Sequence, residues 1–149
     1  MNKEKAIEAL NTLITINNDR IEGYETASGE SKEHDLKNFF GELLQTSHQC
    51  KSDLVAEVRR LGGTPNDDTK NTGKIFRIWM DVKAALTDKD RKAILNSCEF
   101  GEDIAKGTYE KVLEQQSEYL SNEQKDLIKT QYAHLKSDHN KVKSMRDGL

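Results

Sequence analysis

One carboxylate lies in a largely apolar helical stripe, and it is the first candidate for chemistry in this sequence. Glu102 belongs to a stripe whose members are three or four residues apart. The stripe comprises Leu95, Cys98, Glu102, Ala105, Tyr109, Val112 and Gln116. This spacing places residues on one buried face of a helix. A buried carboxylate is unfavourable unless it is paired, hydrogen-bonded or metal-bound. The sequence therefore predicts either a metal ligand or a polar core layer at Glu102.

A mononuclear metal site is the first alternative. Its predicted ligands are Glu102, His134, Cys50 and Asp138. Zinc accepts thiolate, imidazole and carboxylate ligands, and iron is the other metal to consider. A second, weaker site hypothesis pairs His139 with Glu99, because His139 lies beside the buried stripe of its own helix at a level that could face Glu99.

A hydrogen-bonded polar layer is the second alternative, and the pattern favours it. Asn17 and Tyr24 repeat the seven-residue offset of Glu102 and Tyr109. Glu102 would then be hydrogen-bonded to Asn17, Gln131 or a tyrosine hydroxyl, in a layer that fixes the register of the helices. The predicted members of this layer besides Glu102 are Asn17, Ser47, Gln131, Tyr24 and Tyr109.

The two cysteines, Cys50 and Cys98, are expected to face one another at similar depth in parallel helices, and they are interpreted as small apolar core residues. The sequence contains neither a serine–histidine–acid order nor a phosphate-binding glycine loop.

Two helices are predicted in the first half of the chain. The first covers Lys3 to about Ala27, and its buried stripe comprises Ile7, Leu10, Ile14, Asn17, Ile21 and Tyr24. Asn18, Asp19, Arg20 and Glu22 are expected on flanking or solvent-facing positions. Ser28–Ser31 ends this helix, with Gly29 as the predicted break. The second helix covers about Lys32 to Leu61, and Gly62-Gly63-Thr64-Pro65 stops it.

Two long helices are also predicted in the second half. Thr87 with Asp90 resembles a capping box, and the third helix would run from there to about Gln116. Ser121 with Gln124 forms a second capping box at the start of the fourth helix. The buried stripe of that helix is predicted to contain Leu127 or Ile128, Gln131, Leu135, Asp138, Val142 and Met145.

The links between the helices predict the topology of a single domain, residues 1–149. Links at Ser28–Ser31 and Glu118–Ser121 are short, so each joins two antiparallel helices. Helices of 25–30 residues span about 38–45 Å. The stretch 62–86 is long enough to cross the bundle, and we expect a short amphipathic helix in it at Lys74–Leu86. The prediction is an all-α four-helix bundle of two antiparallel hairpins joined by a long crossover; strict up-and-down order is the alternative.

Composition excludes several classes. The hydrophobic fraction is 34%, the charged fraction 33% and the mean hydropathy −0.84. Disorder would not produce regular apolar spacing. The formal charge of −3 argues against a nucleic-acid partner, and no apolar run has the roughly 20 residues of a membrane span. The N-terminus has no signal-peptide core, so we expect a cytoplasmic protein with reduced cysteines.

Three segments carry a resemblance to a known family. They are Asn17–Tyr24 (NNDRIEGY), Leu61–Pro65 (LGGTP) and Cys98–Asp103 (CEFGED) through Tyr109. With them the chain resembles a bacterial family of ferritin-like four-helix proteins of unknown function over nearly its whole length. It resembles bacterioferritin and rubrerythrin more distantly, mostly in topology.

The resemblance implies a ferritin-like fold with a degenerate metal layer. In that superfamily the first and third helices each supply a Glu, and the second and fourth each supply Glu-x-x-His. Asn17 takes the first position, Ser47 and Cys50 the second-helix pair, Glu102 the third-helix position, and Gln131 with His134 the fourth-helix pair. Only Glu102 and His134 keep the expected residue type.

These observations predict a non-catalytic protein with a binding or stress-associated role, acting through self-association or a protein partner. A metal-dependent redox protein resembling rubrerythrin is the alternative from a different class. A third alternative is a structural interaction module that uses an exposed apolar patch around Phe76 and Trp79.

Overall fold

Four long helices account for most of the part of the chain that the structure describes. The computed structural model describes residues 2–66, 84 and 91–148. The helices are α1 (Lys3–Glu30), α2 (His34–Arg60), α3 (Arg91–Gln115) and α4 (Asn122–Asp147), with one 3-10 turn at Ser117–Tyr119. Within these ranges all regular structure is helical, so the all-α prediction is confirmed. None of the described helices combines the length and hydropathy of a membrane span.

Local capping signals explain the starts of α1 and α4. The Asn2 side chain accepts a hydrogen bond from the Lys5 N–H at 3.1 Å and begins α1. Ser121 and Gln124 form the predicted capping box at the start of α4. The other predicted capping box, at Thr87 and Asp90, lies outside the described residues.

The end of α2 is confirmed at the predicted glycine pair. Gly62 has a φ of 82°, a left-handed conformation that glycine adopts without a steric penalty. The N–H groups of Gly62 and Gly63 then bond to the carbonyls of Arg59 and Val58. These bonds satisfy carbonyls that the last turn of α2 would otherwise leave unpaired.

The end of α1 differs from the prediction. Gly29 stays helical, and the helix continues to Glu30. Ser31 then becomes extended, and its hydroxyl donates a 2.6 Å hydrogen bond to the carbonyl of Ala27. A serine that satisfies an end carbonyl of the helix therefore stops α1, and the glycine does not.

Contacts at the two ends of the bundle establish the up-down-down-up order. Arg91, at the start of α3, pairs with Asp35 at 2.6 Å, so α3 begins beside the start of α2. Gly63, just after α2, packs against Ile7 near the start of α1. The end of α2 and the start of α3 therefore lie at opposite ends of the bundle, as the link lengths predicted. The predicted crossover helix at Lys74–Leu86 lies outside the described residues, apart from Ala84.

The beginning of the crossover covers a polar face of α1. Asn66 accepts a hydrogen bond from Asn18 at 3.2 Å and donates its N–H to Asn11 at 2.8 Å. The Asn66 side chain also reaches Thr15. Asn18 is consequently only 5% exposed, and its predicted flanking or solvent-facing position is wrong.

The core consists of two apolar clusters that lie toward opposite ends of the bundle. One includes Leu10, Leu13, Leu54, Val112 and Ile128, and the other includes Tyr24, Leu36, Phe40, Leu95 and Val142. Each fully buried Leu, Ile or Phe contributes about 1.5–3 kcal/mol to folding. Between the clusters, all four helices contribute polar groups.

Candidate functional site

A buried guanidinium is the centre of the polar layer. Arg20 is 1% exposed. Its Nε lies 3.2 Å from Glu102 Oε1, and its Nη2 lies 3.4 Å from Glu102 Oε2, a two-point contact between α1 and α3. The same Nη2 lies 3.5 Å from Asp138 Oδ2 on α4. One positive side chain therefore faces two carboxylates on two other helices.

A chain of hydrogen bonds extends from Arg20 across the bundle. Arg20 Nη1 donates to Asn17 Oδ1 at 3.1 Å, and the Asn17 amide donates to the Tyr109 hydroxyl at 2.8 Å. Tyr109 donates to Gln131 Oε1 at 2.6 Å, and Gln131 donates to the backbone carbonyl of Cys50 at 3.1 Å. The network thus links α1, α3, α4 and α2 in turn. A network with every donor paired fixes helix register, because an altered register would leave buried polar groups unpaired.

Tyr24 completes the surroundings of Glu102. Its hydroxyl donates a hydrogen bond to Glu102 Oε1. Its ring stacks on Phe40 with the centroids 6.1 Å apart, and Arg20 Cζ lies 6.0 Å from the centre of the same ring. Glu102, which is 0% exposed, therefore has a hydrogen-bond donor and a cation as partners.

The structure brings together most of the residues proposed for the layer. Asn17, Tyr24, Glu102, Tyr109 and Gln131 are in direct hydrogen-bonded contact within the network, and Asp138 joins it through Arg20. Ser47 is buried at 0% exposure, but its hydroxyl donates to Leu43 of its own helix at 2.7 Å.

Among the described residues, the proposed ligands Glu102, His134, Cys50 and Asp138 do not bring three ligand atoms within 4.8 Å of one another. His134 is exposed on α4, so the structure contradicts its placement in a shared metal site. The reason is rotational: Gln131, Leu135 and Asp138 occupy the buried face of this helix. Cys50 contributes its backbone carbonyl to the network, and burial raises the pKa of its thiol, so the thiolate form that binds metals is disfavoured.

Arg20 is the residue that the sequence patterns missed. Arg20 and Asp19, predicted on flanking or solvent-facing positions, are 1% and 2% exposed, so that prediction is wrong for both; Glu22 is exposed. A signal for Arg20 was present, because it lies three residues after Asn17 and four before Tyr24, the spacing of the buried stripe itself. The apolar Ile21 was assigned to that stripe, but it is only partly buried.

The electrostatics of the layer follow from one cation facing two carboxylates. Burial acts to lower the pKa of Arg20, but Glu102 together with Tyr24, Cys50 and Tyr109 outweighs it, and the pKa lies above its ordinary value. Burial, together with Glu102, raises the pKa of Asp138 to about 6, although Arg20 opposes the shift. The layer is therefore neutral when Asp138 is protonated and carries one net negative charge when it is ionised.

The tyrosine hydroxyls and cysteine thiols in and near the layer stay protonated. Burial raises the pKa of Tyr24 well above its ordinary range, and Glu102 adds to the effect. Burial also raises the pKa of Tyr109 and of the Cys98 thiol. Cys50 and Cys98 belong to different core clusters, and neither forms a disulfide. These groups are hydrogen-bond donors and core residues rather than nucleophiles.

A second polar cluster lies beside the first on the α3–α4 hairpin. His139 Nε2 is 3.7 Å from Glu99 Oε1, the pair that the sequence proposed, and 2.7 Å from Asp103 Oδ1. Arg146 pairs with the other oxygen of Glu99. Among the described residues, Glu99, Asp103 and His139 form the one group of three ligand-type side chains whose donor atoms all lie within 4.8 Å of one another.

The two residues of the proposed surface patch, Phe76 and Trp79, lie outside the described residues. Within the described ranges, Phe100 is the one large apolar side chain with high exposure, at 64%. A groove between α2 and α4 is lined by Phe39 and Met145 and flanked by Lys136 and Lys141.

Comparison with known protein families gives a match for this chain. Residues 5–115 match the sequence profile of a domain of unknown function, DUF2383. The chain belongs to the DUF2383 family. The matched range holds α1, α2 and α3, and with them Arg20 and Glu102, whereas Asp138 and His139 lie beyond it. A search of curated proteins gives no match.

Proposed function

We propose that this DUF2383 protein is a non-catalytic, ferritin-like binding protein of bacteria with a stress-associated role, in which a guanidinium holds the mid-bundle layer in place of a metal centre. The single observation that carries this proposal is the position of Arg20, whose Nη2 lies 3.4 Å from Glu102 and 3.5 Å from Asp138.

The charges of the layer support this proposal. A buried carboxylate needs a cation or several hydrogen bonds to offset its desolvation. Arg20 supplies the cation, and Tyr24 supplies a further hydrogen bond to Glu102. A divalent ion at the same carboxylates would compete with the guanidinium for the same oxygen lone pairs, and it would add positive charge next to a buried cation. The residues of the layer therefore do not fit a metal centre.

The neutral members of the layer support the same conclusion. A di-metal centre of the ferritin type uses a carboxylate from each of the four helices and two histidines. Here Asn17 stands at the first-helix position and Ser47 at the second, and both bond to neutral groups or to Arg20. The rubrerythrin-like redox alternative would need ligands that this layer does not supply.

The metal content of purified protein tests the proposal. Untagged protein grown with added iron, manganese and zinc would be analysed by plasma mass spectrometry, together with Glu102→Gln and the exposed control Glu114→Gln from the same helix. We expect the wild type and both variants to have the same metal content. Near-stoichiometric metal that is lost in Glu102→Gln and retained in Glu114→Gln would overturn the proposal in favour of a metal-dependent protein.

The binding role has its own test. The sequence proposes Phe76 and Trp79 as a contact surface for a second copy or a protein partner. Sedimentation velocity of the wild type would be compared with that of Phe76→Ala/Trp79→Ala. Self-association that is lost in the double variant supports a binding surface there, and association that is unchanged removes that surface from the proposal.

A further inference from the structure

Three ligand-type side chains converge on the face of the α3–α4 hairpin next to the Arg20 layer. Asp103 follows Glu102 on α3, and His139 follows Asp138 on α4, so each helix contributes one residue to the inner layer and the next to the outer cluster. Glu99 lies one turn before Asp103, on the same face of α3. The inner carboxylates are paired with Arg20. The outer cluster is partly open to solvent, since the Asp103 side chain is 47% exposed.

The donor atoms have separations close to those that one small cation requires. Ligands about 2.1 Å from a zinc ion lie about 3.0–3.4 Å from each other in octahedral or tetrahedral geometry. His139 Nε2 lies 2.7 Å from Asp103 Oδ1 and 3.7 Å from Glu99 Oε1, values on either side of that range. All three donor atoms lie within 4.8 Å of one another, so side-chain rotations without a backbone change would bring them to ligand distance.

The histidine nitrogen supplies an independent observation. His139 Nε2 is buried and forms no hydrogen bond, although it lies 2.7 Å from Asp103 Oδ1. An imidazolium at this distance would be expected to donate a hydrogen bond to the carboxylate. A protonated ring would form ion pairs with both carboxylates. A neutral ring whose Nε2 lone pair faces the two carboxylate oxygens would be repelled by them unless a cation lay between the three groups. The second arrangement is the one that a metal ion stabilises.

Arg146 sets the charge and orientation of the cluster. It pairs with Glu99 Oε2, which leaves Oε1 directed toward His139. With a neutral His139, the two carboxylates and Arg146 sum to one net negative charge, which favours a divalent cation. Ligand carboxylates held by a hydrogen bond to an outer partner are a regular feature of metal sites.

We propose that Glu99, Asp103 and His139 form a divalent transition-metal site, and the ligand chemistry points to Zn²⁺. Imidazole with two carboxylates suits zinc and iron better than calcium or magnesium, which prefer oxygen ligands alone. Three protein ligands leave one coordination position for water on the solvent side at Asp103. The bound ion would join α3 to α4 near the middle of the hairpin. This site is independent of the proposed function, because its residues do not include Arg20 or Glu102.

Zinc binding by the metal-free full chain tests the inference. The protein would be titrated with Zn²⁺ in competition with a chromophoric chelator, and Co²⁺ would be used as a probe because its visible absorption reports the geometry of its ligands. We expect one Zn²⁺ per wild-type chain. His139→Ala and Asp103→Asn should each weaken binding by at least the ten- to hundredfold that loss of an outer partner costs a metal site.

Matched variants make the outcomes distinguishable. His134→Ala changes an exposed histidine on the same helix, and Glu114→Gln changes an exposed acid on α3, so both should bind as the wild type does. Asp103→Asn should fold even if His139→Ala does not, because the Asp103 side chain is half exposed. Wild-type protein that binds no Zn²⁺, or binding that persists in both His139→Ala and Asp103→Asn, would overturn the inference. Binding that is lost in Glu102→Gln alone would count against the proposed function instead.

Discussion

Arg20 and Glu102 form a two-point ion pair between α1 and α3 with their side chains 2% and 0% exposed. A pair this deeply buried gains little net stability over a well-packed apolar pair, because both charges are desolvated. Removing one partner is strongly destabilising, since the charge that is left behind stays buried without a partner. Arg20 therefore acts chiefly as a determinant of helix register, which it sets by requiring Glu102 and Asp138 to face it at the same level.

A double-mutant cycle tests the coupling between these two residues. Arg20→Met leaves Glu102 buried without its cation and should destabilise the protein by about 3–5 kcal/mol. In a Glu102→Gln background the same substitution should cost less, with a coupling energy of about 1–3 kcal/mol. Urea unfolding followed by circular dichroism gives the four free energies of unfolding.

The pair of exposed Arg60 and partly buried Glu57 supplies the control cycle. It lies within one helix with Arg60 60% exposed, so its coupling energy should be below about 0.5 kcal/mol. Equal coupling energies in the two cycles would mean that burial does not set the strength of the Arg20–Glu102 pair. If Arg20→Met is too unstable to measure, Arg20→Lys keeps the charge but removes the two-point contact, and its cycle measures that part of the coupling.

The hydroxyl of Tyr24 should add to the stability of the fold beyond the packing of its ring. Tyr24→Phe keeps the stacking on Phe40 but removes the hydrogen bond to Glu102, and hydrogen bonds to charged groups contribute about 1.5–3 kcal/mol. Tyr132→Phe is the matched control, because its hydroxyl also bonds to a glutamate, Glu110, but at a partly exposed site. The difference in thermal unfolding between the two variants measures the effect of burial; similar losses would contradict it.

The fold was predictable because its signals are local. Gly62 and Gly63 stop α2, Ser121 and Gln124 begin α4, and both act through backbone groups within a few residues. The topology followed from short links and one long one. The extension of α1 to Glu30 was not predictable in the same way, since glycine at position 29 is compatible with either a helix interior or a helix end.

The site was only half predictable, because its centre is a charged residue whose partners are distant in sequence. Asn17, Tyr24, Glu102 and Tyr109 stood out as polar or aromatic members of buried stripes. Arg20 did not, since patterning assigns arginine to solvent unless a buried partner is known, and its partners lie 82 and 118 residues away. The spacing around Arg20 fitted the buried stripe, but choosing it over Ile21 required knowledge of the opposing helix.

The two cysteines should react slowly with thiol reagents in the folded protein. Both are buried, and burial raises the pKa of each thiol, so little thiolate is exposed at any time. Ser52→Cys, at an exposed position of α2 two residues from Cys50, supplies an accessible control. We expect labelling of Cys50 and Cys98 to be at least about 100-fold slower than that of the new cysteine, because it requires local opening. Native labelling at comparable rates would contradict the burial of these thiols.

The stability of the protein should depend on pH through Asp138. Its pKa is about 6 in the folded protein and 3.8 as the ordinary value, so the folded state holds the proton over a range in which the unfolded state has lost it. The stabilisation from the protonated form is fully present below about pH 4 and is lost as the pH rises through about 6. Compared with Asp138→Asn, which keeps a neutral side chain throughout, the wild type should lose stability on going from about pH 4 to about pH 7.

The expected relative loss is about 1–2 kcal/mol, because one pKa unit corresponds to about 1.4 kcal/mol and solvent screens part of the effect at this position. Urea unfolding of both proteins at the two pH values, with a chelator present so that no metal ion contributes, measures it. Asp126→Asn, on the exposed face of the same helix, is the control for net charge. If Asp126→Asn differs from the wild type in pH dependence as much as Asp138→Asn does, the effect arises from overall charge. A wild type that gains stability relative to Asp138→Asn as the pH rises would mean that Arg20 favours the ionised carboxylate more than burial opposes it.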